Sequence, residues 1–241
     1  MGFKSSNKHE YSSKNGVVVN SLFFLSATLM LFTLYLVFLW VPTELNLGIS
    51  QRIFYFHVPL GWLGMLSIVV VAIASMMYLI NRRVKWDNLA YSAAELGFVF
   101  ASLILITGVM WGKADVGWWW TWDAKLTTTL ILWFVYLGYL IVRTYTSKGS
   151  QGARFGAIVA LIGAIDAPII YMSTVWWRTA HPELNIGPLS EDQDALGSTE
   201  IYVTLLVSAV TFTVLYVYML FERCNMKGME VELDELYYEI A

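Results

Sequence analysis

Three histidines occur in the 241 residues, and two of them stand in aromatic surroundings. His57 falls in Arg52-Ile-Phe-Tyr-Phe-His-Val-Pro59, and His181 in Trp176-Trp-Arg-Thr-Ala-His-Pro182. Each is followed within two residues by proline, which stiffens the local backbone. Between them in chain order runs Trp111-Gly-Lys-Ala-Asp-Val-Gly-Trp-Trp-Trp-Thr-Trp-Asp123, five tryptophans within thirteen residues. Packed indoles suit a large planar aromatic ligand, held by stacking and apolar burial. Two imidazoles can ligate one heme iron from opposite faces. The chemistry on offer is therefore the holding of a metalloporphyrin. His9 lies in a charged N-terminal stretch and reads as a solvated side chain.

Plainer readings stand beside these. Tryptophan settles at the headgroup level of membranes, so part of the loop could be an anchoring belt. A single histidine at the end of a span is commonly a hydrogen-bonding interfacial residue. Four basic residues accompany the aromatic segments: Arg52, Lys113, Lys125 and Arg178. They suit the two anionic propionates of heme, or they snorkel at helix ends.

The elements that must position these residues are membrane spans. Hydrophobic residues make up 58% of the chain and charged residues 14%, against about 25% charged in an ordinary soluble domain. The apolar residues gather into six runs long enough to cross a bilayer, which takes about 20 residues each. The runs are 18–41, 60–80, 90–111, 126–144, 155–175 and 201–221. The expectation is an all-α membrane protein with six transmembrane helices in one domain, 1–241, and with the first run retained rather than cleaved. His57 is expected on the loop just before the second span.

Orientation follows from Lys and Arg, which favour the cytoplasmic side. With the N-terminus inside, the inner segments carry eleven such residues and the outer loops the four just named. Both termini are then cytoplasmic, and His57, His181 and the tryptophans all fall on the outer face of the membrane. The net charge of −3 and the absence of a basic stripe exclude nucleic acid as a partner. The single cysteine, Cys224, allows no intrachain disulfide, and no C-x-x-C-H is present for covalent heme. Any heme is therefore non-covalent, as heme b. With no nucleophile–base set and no Gly-rich phosphate loop, the chain reads as a non-enzyme that cannot energise transport itself.

The stretch Trp111-Gly112 to Gly117, then Trp118-Trp119-Trp120-Thr121-Trp122-Asp123, resembles the tryptophan-rich WWD signature of heme-handling membrane proteins of cytochrome c biogenesis. The resemblance covers nearly the whole chain. It implies that His57 and His181 are axial ligands and that Trp118, Trp119, Trp120, Trp122 and Asp123 seat heme. Trp111, Arg52, Lys125 and Arg178 complete the expected set. It also implies a membrane-anchored heme chaperone, a small single-span protein and ATP-driven transporter subunits as partners. Lys125 departs from the pattern where some relatives carry Arg, which alone offers a bidentate fork.

Some residues fall outside this scheme. Asp166 lies mid-span, two residues before Pro168, and an ionisable group there is a functional candidate by default. The expectation is a protonated Asp166 bonded to a neighbouring helix. Glu95 is expected to snorkel, and the acidic tail 230–239 to be disordered or a docking segment. The acidic run Glu183, Glu191, Asp192 and Asp194 reads as a solvated loop. Two rival functions follow: a small-substrate transporter centred on Asp166 and Pro168, and a b-type cytochrome subunit. The second is disfavoured because no span contains a histidine.

Overall fold

The computed structural model describes residues 3–43, 47–115, 117–146, 150–177 and 199–240. Helix α1 spans Phe3–Tyr35 and ends in a π turn, Leu36–Trp40. A 3-10 turn, Ile49–Ile53, leads into α2, Phe54–Asn81, and α3, α4 and α5 follow as Val84–Asp115, Ala124–Tyr145 and Ser150–Gly163. Helices α6 and α7 are Asp166–Trp176 and Thr199–Ile240. Six stretches are long and apolar enough to cross a membrane, α5 and α6 together making one of them. The protein is an all-helical, multi-pass membrane protein, as its hydropathy requires.

Burial is distributed as lipid solvation dictates. Large apolar side chains such as Leu39 and Ile80 point outward and are 78% and 68% exposed. The interior is lined by small residues and tyrosines. Along α3, Ala90, Ala93, Ala94, Gly97 and Ala101 are buried at spacings of three and four, which lets neighbouring helices approach closely. Tyr136 of α4 crosses α3 at Gly97, where a Cβ would lie 2.3 Å from its Cζ. Its hydroxyl then donates to the carbonyl of Gly64 in α2, at 2.7 Å. Thr33 and Thr211 join α1 to α7 through a buried 2.7 Å bond between hydroxyls.

Two departures from the expected spans involve proline. The second span starts at Phe54 rather than near residue 60, because Phe54, Tyr55 and Phe56 extend the apolar run back to the 3-10 turn. Pro59 therefore sits inside α2. Its missing N–H leaves the carbonyl of Tyr55 without its helical donor, and the Ser208 hydroxyl of α7 donates to that carbonyl instead. The fifth span is broken at Ala164 and Ile165. Pro168 withholds the N–H that the carbonyl of Ala164 would take, and Ala164 accepts a 3.3 Å bond from Ala167 N instead.

The membrane side opposite the tryptophan loop is clamped by ion pairs. Arg143 of α4 makes a two-pronged pair with Asp87 of α3, the Nη2–Oδ2 bond measuring 2.8 Å. Arg223 of α7 makes another with Glu95 of α3. Tyr91 lies between, with the two guanidinium carbons 5.6 and 5.7 Å from its ring centre. Glu95 is thus paired, not merely snorkelling. The expected helix-to-helix bond of Asp166 is not made, since its Oδ2 is buried without a partner among the described residues. The acidic tail also departs from expectation, because α7 continues through it to Ile240.

Candidate functional site

The connection between α3 and α4 is held open as a built loop. Gly117 has φ of +86°, a conformation that needs glycine. Its N–H donates to the carbonyl of Gly112 at 3.1 Å. Lys113 Nζ donates to the carbonyl of Gly117 at 2.8 Å and stands 5.7 Å from the ring centre of Trp119. At the far end Asp123 caps α4. Its Oδ1 accepts from Leu126 N at 2.9 Å and its Oδ2 from the Thr121 hydroxyl at 3.1 Å. Such a cap satisfies an otherwise orphaned helix N–H.

Beneath this loop lies a cavity of about 90 Å³, partly open to its surroundings. Ile104, Leu105, Gly108, Trp111, Gly112 and Asp115 of α3 form one wall. Trp118, Trp119, Trp120 and Thr121 form the roof, and Asp123, Lys125, Leu126 and Thr129 the opposite wall. His57 closes the inner end. Trp118 and Trp119 are 70% and 61% exposed, so indole surface stands open to a ligand. Trp122 does not line the cavity; it packs edge-on against Trp120, ring centres 5.5 Å apart.

His57 does not lie on a loop. It is buried in the first turn of α2, 7% exposed, because the helix begins at Phe54. One candidate span therefore does contain a histidine, and the argument against a b-type cytochrome loses that premise. The imidazole is oriented by α3. Its Nδ1 lies 2.9 Å from the Thr107 hydroxyl, which itself donates to the carbonyl of Leu103 at 2.8 Å. When the hydroxyl proton is directed to that carbonyl, or to that of Ile104 at 3.2 Å, the oxygen accepts from Nδ1–H. In that tautomer Nε2 is the unprotonated nitrogen, the state in which an imidazole ligates a metal. Gly108 makes room for the ring: a methyl there would stand 3.1 Å from Cε1. Trp111 backs the imidazole, ring centres 5.9 Å apart.

The basic residues are dispersed. Lys125 reaches across to α6 and donates to the carbonyl of Ile170 at 3.0 Å, which pins that helix to the cavity wall. Arg52 donates from Nη2 to the Thr43 hydroxyl at 3.3 Å, and its Nε and Nη1 are buried without a partner among the described residues. It does not line the cavity. Arg178, His181 and the acidic run 183–194 lie outside the described residues. Thr107 and Gly108 went unmarked in the sequence, where they look like any small residues in an apolar span.

A family profile described as Heme exporter protein C matches residues 3–238. The chain belongs to the heme exporter protein C family. Among curated proteins, Heme exporter protein C of Bradyrhizobium diazoefficiens is 38% identical over 179 residues, 73% of this chain and 66% of the relative. The Haemophilus influenzae protein of the same name is 34% identical over 189 residues, covering 78% of this chain and 75% of its own length. A ccmC-like mitochondrial protein of cytochrome c biosynthesis from Marchantia polymorpha is 34% identical over 170 residues, 70% of this chain and 68% of the relative. Heme transport and cytochrome c biogenesis are thus the setting in which the family's members are named.

Proposed function

We propose that this protein binds heme at the outer face of the cytoplasmic membrane and presents it to a heme chaperone for cytochrome c maturation. The observation that carries this reading is His57, its Nδ1 held by the Thr107 hydroxyl, in one cavity with the indoles of Trp118, Trp119 and Trp120. Heme is cargo here, bound without a covalent link as heme b. His57 supplies one axial nitrogen and His181 the other. Lys125 pins α6 at Ile170, and His181 follows eleven residues later in the chain, which favours its arrival at the cavity mouth. Arg52, whose Nε and Nη1 lack a partner among the described residues although it does not line the cavity, and Arg178 are the two candidates to pair with the propionates.

The residues fit the cargo in kind. The cavity offers an imidazole, three indoles and apolar wall residues such as Ile104, Leu105 and Leu126, which suit a macrocycle. This protein acts as a holder, not an enzyme. Transfer to the chaperone, and any release driven by ATP-hydrolysing subunits or aided by a single-span protein, belongs to those partners. Eleven Lys and Arg on the terminal side against four on the loop side favour cytoplasmic termini. The transporter reading retains one observation, the unpartnered Asp166, but that residue lines a separate lipid-facing notch with Ile131, Val135 and Ile169.

The test is the absorption spectrum of the purified protein after titration with hemin. A low-spin spectrum of bis-imidazole type is expected. A five-coordinate high-spin spectrum would remove the shared-iron arrangement, and failure to bind hemin would remove the reading altogether.

Thr107 gives a second expected result. Thr107→Val keeps the shape of the side chain but removes the acceptor that fixes the imidazole. Loss of such an outer partner costs roughly 10–100-fold in metal affinity. Hemin titration should show a loss in that range, and Thr107→Ser should recover most of it. Equal affinity in the Thr107→Val variant and the wild-type protein would mean that the hydroxyl does not set the tautomer.

A further inference from the structure

One carboxyl within the spans has no place in the tryptophan-roofed cavity. Asp166, at the start of α6, is only 8% exposed, and its Oδ2 has no partner among the described residues. Lys125, the base that α4 carries toward α6, donates to the Ile170 carbonyl instead. Ten residues separate Asp166 from Trp176 at the end of α6, about 15 Å of helix. That is half the roughly 30 Å thickness of the hydrocarbon core. A carboxyl at this depth is costly unless it is paired.

Asp166 lines a notch of about 540 Å³ that is open to the lipid. Ile131 and Val135 of α4 form one side, and Val159, Ile162, Asp166 and Ile169 form the other. Those four recur at intervals of three, four and three, one face of a helical path. The notch therefore runs along α5 and α6 for ten residues, about 15 Å or close to three helical turns. Ile131 and Ile162, one on each side, are exposed, so no other described element fills the space between them.

We infer that this notch receives a membrane-spanning helix of a partner protein that carries one Lys or Arg near mid-span. The length of the notch suits the side of such a helix, and the buried carboxyl selects its charge. Helices in lipid associate through close packing and polar contacts between helices, and the notch offers both. An acyl chain suits the apolar walls but leaves the carboxyl unpaired, while lipid amines stay at the surface, about 15 Å away. A second copy of the chain brings no Lys or Arg to that depth. Its six apolar runs hold only Arg143, at the end of one and already paired with Asp87. This inference does not depend on heme binding.

The test uses the full chain in phosphatidylcholine nanodiscs with labelled single-span peptides of Leu and Ala. The peptides differ only at the central residue, which is Lys, Leu or Glu, and association is read by energy transfer. The Lys peptide is expected to associate at least about tenfold more tightly than the Leu peptide. Asp166→Asn should remove that preference, and Asp166→Lys should transfer it to the Glu peptide. Ile162→Trp fills the notch from its exposed side and should weaken the Lys peptide about tenfold with Asp166 intact. Unchanged circular dichroism and thermal unfolding report an intact bundle. If Asp166→Lys does not fold, Asp166→Asn and Ile162→Trp decide the matter between them. Equal association of the Lys and Leu peptides, a Lys preference that survives Asp166→Asn, or indifference to Ile162→Trp overturns the inference.

Discussion

His57→Ala is expected to abolish low-spin heme binding, with affinity falling by about a hundredfold or more. Loss of an outer partner alone costs roughly 10–100-fold, and loss of the ligand itself should exceed that. The imidazole is held on three sides, by Thr107, Gly108 and Trp111. Its removal therefore leaves a hollow with the shape of the lost ring. Free imidazole at millimolar concentration should enter that hollow and restore part of the low-spin spectrum. The helix should survive, because α2 is set by Phe54, Tyr55 and the bond from Ser208 to the Tyr55 carbonyl, none of which involves the ring. Hemin titration followed by absorbance gives the result directly. An unchanged spectrum in His57→Ala would remove this residue from the site. Loss without imidazole rescue, accompanied by a changed far-ultraviolet signal, would mean that the residue is structural.

The second large effect is expected from the indoles. Trp118→Ala, Trp119→Ala and Trp120→Ala should each lower hemin affinity, by about 2 kcal/mol for each indole that heme covers, or about thirtyfold. Trp122→Ala should have a smaller effect, because Trp122 lies outside the cavity and acts only through the edge of Trp120. The contrast is the informative part. A membrane anchor would show its largest effect at Trp122, the most exposed of the four at 77%. Hemin titration measures occupancy, and protease protection of the loop measures insertion. Intact occupancy with failed insertion would restore the belt reading of the tryptophans.

The six spans were legible because hydropathy alone decides them: no other arrangement solvates such runs. Their ends were less so. The second span was expected from residue 60, yet Phe54, Tyr55 and Phe56 already belong to α2, so His57 moved from a loop into a helix. Asp123 was read as a ligand-seating residue; its position just before Ala124-Lys125-Leu126 is also an N-cap pattern, and its carboxylate caps α4 while the residue lines the cavity. The break at Ala164 was foreshadowed by Pro168, but proline announces a lost bond and not where the chain will turn. The α7 extension was hidden by its charge. Its acidic residues suggested disorder, and only the three-and-four spacing of Met226, Met229, Leu233 and Leu236 hinted at a helix. Thr107 carried no signal at all, since its role exists only once α2 and α3 lie side by side.

The paired arginines make the bundle stiff at one end and leave the other end to loops. Helices α3 and α4 form the two long walls of the cavity, and Asp87 with Arg143 fastens them together at the opposite membrane surface. From Asp87 to Trp111 is 24 residues, a lever of about 36 Å at 1.5 Å per residue. Along that length the two helices are joined again, where Tyr136 packs on Gly97 and where Trp133 Nε1 donates to the Ser102 hydroxyl at 2.8 Å. The arms are thus fastened through most of their length and part only toward the tip, like tongs closed on a narrow mouth.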